Sequence, residues 1–211
     1  MKRIFLIRHG ETDWNCQGRF QGKMDIPLNP LGREQAIAAA KALMTASIER
    51  VVSSPLSRAS DTAEAAAVRL DLSVEIREGL REIDHGQWEG HTAGEIAHLW
   101  PGQLDLWHSC PEEVIMPRGE SLHDVSDRAW KDFEEVLAGP GDGVAVFSHD
   151  AVIKVILCRV LGCPLSSFWR FRITNGSITL IEGGGKGLSV SVVGDACHLG
   201  NAWERKEQKG L

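Results

Sequence analysis

The stretch Ile4-Phe5-Leu6-Ile7-Arg8-His9-Gly10 decides the fold. Four consecutive apolar residues without alternation read as a strand buried on both faces, the pattern of a parallel sheet covered by helices. Arg8 and His9 then fall at the C-terminal end of that strand, where open α/β sheets place their ligands. Gly10 lets the backbone approach the histidine ring closely. A second stretch repeats the plan: Val144-Ala145-Val146-Phe147 delivers Ser148-His149-Asp150 into the start of a helix.

Between these two stretches the alternation continues. Residues 10–28 form a polar loop rich in Gly, Asn and Gln. Asn29-Pro30 supplies an N-cap and a first helical residue, and the alanine-dense run Gln35 to Met44 suits a close-packed helix. A short strand at 50–53 is broken by Ser54-Pro55, a helix follows over 57–69, and a third strand lies at 74–76. The order β-α-β-α-β predicts an α/β fold, a three-layer αβα sandwich with a mostly parallel sheet and helices on both faces. Residues 79–118 are rich in Gly, Trp, His and Pro and read as an inserted, cap-like segment with one short helix at 93–99. An amphipathic helix runs from 119 to 137, and another helix from 151 to about 161. The runs 176–181 and 188–193, joined by the glycine-rich 183–187, predict a hairpin at an antiparallel edge of the sheet. The whole of 1–211 is expected to be one domain, and the exposed edge makes a homodimer a candidate assembly.

The 211 residues suffice for a sizeable core. A net charge of −6 argues against nucleic-acid binding and against docking on an acidic membrane, but not against an anionic small molecule held by a local arginine cluster. The cysteine count of five is odd and contains no CxxC, so reduced thiols are expected. Met1-Lys2-Arg3 leads into an apolar run too short for a secretory h-region, and nothing approaches a membrane span, which together predict a cytoplasmic protein. His91, His98, His108 and His123 lack metal-ligand spacing, so neither a metal nor another cofactor is expected.

Two histidines in equivalent strand-end positions suggest phosphoryl chemistry. Neutral imidazole can attack phosphorus, and a phosphohistidine intermediate divides one displacement into two. Such a nucleophile needs one ring nitrogen bare and the other held by an acceptor, commonly a backbone carbonyl. The equatorial phosphoryl oxygens need positive charge around them, which arginine provides as a permanent planar fork. Arg8 adjoins His9, and Arg58 opens the helix after the second strand. The leaving alkoxide needs a proton, and Glu82 is a candidate donor if burial raises its affinity for one.

Several ordered motifs carry a resemblance. Leu6-Ile7-Arg8-His9-Gly10-Glu11-Thr12 matches the signature of the histidine phosphatase superfamily, the phosphoglycerate mutase-like proteins. Asn15 and Phe20-Gln21-Gly22 resemble that family's substrate loop. Ser53-Ser54-Pro55-Leu56-Ser57-Arg58 resembles its second arginine motif, and Leu80-Arg81-Glu82 its acid motif. Gly119-Glu120-Ser121 and Val146-Phe147-Ser148-His149 complete the series. The resemblance implies that His9 is the nucleophile, that Arg8, Arg58 and His149 line the phosphate pocket, and that Glu82 donates the proton. It also implies phosphate or substrate contacts from Asn15, Gln21, Gly22 and Ser148. The family commonly has glycine where this chain has Asp150. That residue either complements the helix dipole or orients His149 or a substrate amino group.

Within the superfamily, Glu82-Ile83-Asp84-His85-Gly86 differs from the Glu-Arg-His-Tyr-Gly typical of the cofactor-dependent mutases, which favours a phosphatase. Together with Trp107, Phe168-Trp169 and the tail Cys197-His198-Leu199-Gly200, it resembles the metal-independent phosphoserine phosphatases. That likeness implies a small phosphorylated metabolite as substrate, best matched by phosphoserine, with His85 and residues 198–200 helping to select it. The other readings of His85 and the tail are a loop hydrogen bond and cover for a sheet edge. The alternative functions are an α-ribazole or broad-specificity phosphatase, a 2,3-bisphosphoglycerate-dependent mutase, and a non-catalytic scaffold that binds phosphorylated ligands.

Overall fold

The computed structural model describes residues 1–185 and 187–200. Six strands form one sheet: β1 (Lys2–Arg8), β2 (Arg50–Ser53), β3 (Val74–Ile76), β4 (Gly143–Ser148), β5 (Ile178–Gly184) and β6 (Gly187–Asp195). Their spatial order is β3-β2-β4-β1-β5-β6. The first four are mutually parallel, β5 runs antiparallel to β1, and β6 runs antiparallel to β5. This is the expected mostly parallel sheet with an antiparallel edge. The first run of the edge hairpin begins at Ile178 rather than 176, because Gly176 takes a left-handed turn (φ 72°) whose N–H bonds back to the end of β1.

Strict alternation along the central strands divides the core in two. Ile4, Leu6, Val52, Val144 and Val146 face one side, where they meet α6 (Leu122–Ala138), α7 (Asp150–Leu161) and the inserted segment. Phe5, Ile7, Val51, Ala145 and Phe147 face the other, against α2 (Pro30–Leu43) and α3 (Ser57–Leu70). Ala39 and Ala40 of α2 and Ala63, Ala66 and Ala67 of α3 are all buried there, so small side chains bring these helices close together. Helix α7 is buried along residues 150–158, and its apolar character on every side fits that position.

Two helices escape the sequence pattern. Helix α1 (Asp13–Gln17) interrupts the expected loop 10–28, and it is held by a reciprocal Thr12–Asn15 capping box. The inserted segment contains α4 (Ala93–Leu99), as expected, and also α5 (Gln103–Ser109). Helix α5 follows Trp100-Pro101-Gly102, a breaker, and its Gly102 cap offers no side-chain bond, so no local signal announces it. Trp88 and Trp107 anchor the insertion with no exposed surface. No helix among the described residues is long and apolar enough to cross a membrane.

Candidate active site

Strands β1, β4 and β2 are neighbours, and their register aligns Arg8 with Ser148 and Ser53 with Phe147. The residues just beyond these ends, His9, His149 and Ser54, therefore meet at one lip of the sheet. The His9 and His149 rings lie 5.1 Å apart between centroids, tilted by 57°.

The His9 tautomer follows from its surroundings. Nδ1 is 2.6 Å from the Gly10 carbonyl oxygen, an acceptor only, so Nδ1 carries the proton and donates it. The neutral ring then has its lone pair on Nε2, which has no partner among the described residues. Burial and the charges of Arg58 and Arg8 hold the His9 pKa well below its ordinary value, against the Gly10 bond, which raises it. The turn itself is braced. Gly10 N–H donates to Thr62 Oγ1 (3.1 Å), whose hydroxyl donates to the Arg58 carbonyl (2.7 Å). Asn175 Nδ2 donates to the carbonyls of His9 (3.1 Å) and Gly10 (3.4 Å). A Cβ on Gly10 would sit 2.2 Å from the Gly32 oxygen, so this close approach admits only glycine.

Three buried cationic or potentially cationic groups surround the ring. Arg8 Nη1 donates to the Ile173 carbonyl (2.6 Å), and Arg58 donates through Nη1 to Met24 (2.8 Å) and Nη2 to Gly22 (2.8 Å). Burial pushes the Arg58 pKa down to about 10, opposed by Glu82 and Asp25. His149 Nε2 shares a 2.8 Å hydrogen bond with Ser54 Oγ. Burial, with Arg58 and His9, keeps the His149 pKa well below its usual value. Arg8 Nε, Arg58 Nε and His149 Nδ1 are all buried with no partner among the described residues. Such orphaned polar atoms are costly unless a ligand completes them. An anion with several oxygens fits that need.

Glu82 is buried, with Oε1 accepting from the Ile83 N–H (3.0 Å). Burial raises its pKa, Asp150 adds to the rise, and Arg58, the Ile83 N–H and Arg8 oppose it. Its backbone is clamped from α6. Arg128 donates to the carbonyls of Gly79 (2.7 Å), Arg81 (2.6 Å) and Glu82 (3.0 Å). The same guanidinium makes a two-pronged bond to Glu120, 2.8 Å on each oxygen. Glu120 in turn accepts from the Asp84 N–H (2.9 Å).

The remaining sequence-predicted residues divide. Asn15 Oδ1 accepts from Thr12 N and from Asn175 Nδ2, and Gln21 Oε1 accepts from Thr12 Oγ1, so both are tied to the loop after His9. Gly22 has φ +52°, and its carbonyl receives Arg58. The Ser148 hydroxyl donates to the Leu80 carbonyl (2.8 Å), which joins β4 to the Glu82 segment. The His85 ring is buried edge-on to Phe20, at 4.9 Å, and to Trp107, at 6.3 Å, within the inserted segment. Asp150 stands in the first turn of α7 and pairs with Arg8 and Lys154. His198 Nε2 donates to the Gly176 carbonyl (2.9 Å), so the tail rests on the turn that carries Asn175. Arg128, Lys154 and Asn175 are not visible in the sequence as site residues, and Ser54 and Thr62, which fall within the second arginine motif, gain their roles only here.

Three comparisons bear on this arrangement. The family model for the histidine phosphatase superfamily (branch 1) matches residues 4–196. Phosphoserine phosphatase 1 of Hydrogenobacter thermophilus is 34% identical over 201 residues, 95% of either chain. Glucosyl-3-phosphoglycerate phosphatase of Mycolicibacterium vanbaalenii is 35% identical over 177 residues, 80% of this chain and 78% of that one. Among solved structures, a mutant phosphoserine phosphatase of Entamoeba histolytica in complex with phosphoserine superposes with a TM-score of 0.83 at 30% identity. That match covers 94% of this chain and 100% of the other.

Proposed function

This chain belongs to the histidine phosphatase superfamily, branch 1, and from its phosphatase relatives it is a phosphatase; we propose that it hydrolyses phosphoserine through a phosphorylated His9. The observation that carries the mechanism is the His9 ring, with Nδ1–H committed to Gly10 and a bare Nε2, in a site where the Arg8 and Arg58 Nε donors and His149 Nδ1 are left without partners among the described residues. The substrate's phosphoryl oxygens satisfy those donors. Nε2 then attacks phosphorus as the P–O ester bond breaks, and Glu82 gives its proton to the departing serine oxygen. In the second half, the Glu82 carboxylate takes a proton from water. The water oxygen attacks phosphorus, the N–P bond breaks, and inorganic phosphate leaves with Glu82 protonated again. Preorganised charge does most of the work, because the phosphoryl transition state demands little else from the protein.

Phosphoserine is preferred on two grounds. A relative 34% identical over 95% of both chains carries that activity in its name. The segment that carries Glu82 is also packed rigidly through Phe20, His85, Trp88 and Trp107, which suits a small substrate better than a bulky one. The deciding experiment is a metal-free panel of phosphoserine, α-ribazole phosphate, glucosyl-3-phosphoglycerate, 3-phosphoglycerate and p-nitrophenyl phosphate. The highest kcat/KM is expected with phosphoserine. Equal, slow turnover of all five overturns the preference. Interconversion of phosphoglycerates stimulated by 2,3-bisphosphoglycerate makes the chain a mutase instead.

A further inference from the structure

Asp150 and Lys154 stand one turn apart on α7, and both are buried, at 0% and 1% exposure. Lys154 Nζ lies 2.7 Å from Asp150 Oδ2. The same ammonium sits 4.7 Å from the centre of the Phe168 ring and 4.6 Å from that of Trp169. Aromatic faces attract a cation by their quadrupole, so they provide a water-free place for this one. Trp169 is itself fixed, its indole N–H donating to the Trp107 carbonyl at 2.6 Å. On the other side, Asp150 Oδ1 is 3.5 Å from Arg8 Nη1. A line of alternating charge thus runs from the aromatic wall through Lys154, Asp150 and Arg8 to the pocket.

The mechanism above uses only the last member of that line. A lone carboxylate behind Arg8 would work against it, because its field repels the incoming phosphoryl group at a place where little water screens it. Stability is a poor reason to keep the pair, since buried ion pairs are often replaceable by apolar residues without loss. We propose that Asp150 and Lys154 are positioning residues of the phosphate pocket: Asp150 holds the Arg8 guanidinium from behind, and Lys154 cancels the Asp150 charge so that Arg8 keeps its full charge for the ligand. This rests on the reading of Arg8 as a phosphate-binding residue. The pair reaches the proton donor as well. Asp150 pushes the Glu82 carboxyl upward while Arg58, the Ile83 N–H and Arg8 pull it down. Removing Lys154 strengthens the Asp150 field at Glu82, and removing the Asp150 charge abolishes it.

The test is calorimetric binding of inorganic phosphate to the full-length enzyme and four variants, together with the pH profile of kcat/KM. Lys154→Met is expected to weaken phosphate binding on the order of tenfold, as for one added charge a few ångströms behind the ligand. It also moves the basic limb of the profile to higher pH. Asp150→Asn moves that limb to lower pH. The double variant Asp150→Asn/Lys154→Met returns phosphate binding to within about threefold of wild type, the size of ordinary coupling between neighbours. Lys154→Arg, which keeps the charge, binds as wild type does. A folded Lys154→Met with unaltered phosphate binding overturns the proposal. So does a double variant no better than the single one, or limbs that move the same way in both single variants. If Lys154→Met does not fold, Asp150→Asn and the double variant decide by the limb, and no downward shift in either overturns the proposal. Failure of the wild-type enzyme to bind phosphate would instead defeat the reading of the site itself.

Discussion

At the scale of the residue, each half of the proposed reaction turns on where one proton sits. His9 loses its proton readily because burial, Arg58 and Arg8 disfavour the charged ring, so Nε2 is a free nucleophile at neutral pH. Glu82 keeps its proton further up the pH scale because burial and Asp150 disfavour the carboxylate. These opposite shifts bring the pH ranges of the bare base and the loaded acid toward each other. Glu82→Gln separates the two halves. With phosphoserine, whose leaving alkoxide needs the proton, kcat is expected to fall by roughly 10²–10⁴-fold. With p-nitrophenyl phosphate, whose phenolate leaves unaided, phosphorylation of His9 proceeds and the acid-labile phosphoenzyme accumulates, because no carboxylate activates water. Rapid quench with labelled substrate measures both. A uniform loss with the two substrates, or labelling that survives His9→Ala, would refute the assignment.

At the scale of the element, the site is a seam between strand ends and segments that arrive from far along the chain. Arg8, His9 and His149 were legible in the sequence, because an apolar run followed by a charged residue and a turn is a local pattern, whereas Arg58, inside α3, stood out through the motif it shares with the family. The supports were not. Asn175 reaches the His9 carbonyl across 166 positions, and nothing in Ile173-Thr174-Asn175-Gly176 marks it out from any other turn. Arg128 is one of several charged residues on an amphipathic helix, and only packing shows that its face meets the Glu82 backbone. That clamp carries its own prediction. Arg128→Met removes the Arg128 donors from the carbonyls of Gly79, Arg81 and Glu82 and leaves the Glu120 carboxylate with only the Asp84 N–H, each carbonyl left unmet costing about 1–3 kcal/mol where buried. Phosphate binding is expected to hold, since Arg8, Arg58 and His149 are untouched, while kcat falls at least tenfold as the Glu82 segment loosens. Calorimetry with inorganic phosphate beside steady-state kinetics checks it. A parallel loss of phosphate affinity would mean that α6 acts on the whole pocket rather than on the acid.

At the scale of the whole molecule, the pocket is assembled against the interest of the fold. An acidic chain, net charge −6, buries Arg8, Arg58 and Lys154 at one lip of its sheet. Of the anions there, Asp150 is shared between Arg8 and Lys154, and burial disfavours the charged form of Glu82. Positive charge is left in excess, which the proposed phosphate ligand would neutralise. The overall architecture was readable because composition and strand order express the majority interest, a well-buried sheet. The internal charge line was hidden because Asp150 and Lys154, four apart, look like any helix-surface pair until α7 proves buried on every side. This conflict predicts how stability responds to pH. His9 and His149 have folded pKa values below the ordinary 6.5, so the stability they allow is present above that pH and is lost as pH falls toward their folded values. Glu82 is raised, so its contribution is lost in the opposite direction, as pH rises through its folded value. Two histidines against one carboxyl make the unliganded enzyme less stable at pH 5.5 than at pH 7.5, each tenfold change in proton affinity on folding being worth about 1.4 kcal/mol. Inorganic phosphate, which supplies the missing negative charge, adds about 2.7 kcal/mol at a hundred times its dissociation constant. It should also flatten the pH slope, because a bound anion favours the charged form of His149. Arg58→Met removes a buried guanidinium whose Nε has no partner among the described residues. It should abolish most of the phosphate-induced rise in Tm and make the unliganded slope shallower without removing it, since burial still holds the His9 and His149 pKa values down when the Arg58 charge no longer does. Thermal scans at the two pH values, with and without phosphate, decide it: an unliganded Tm that rises as pH falls, or a phosphate response intact in Arg58→Met, would show that the excess of buried charge is balanced elsewhere.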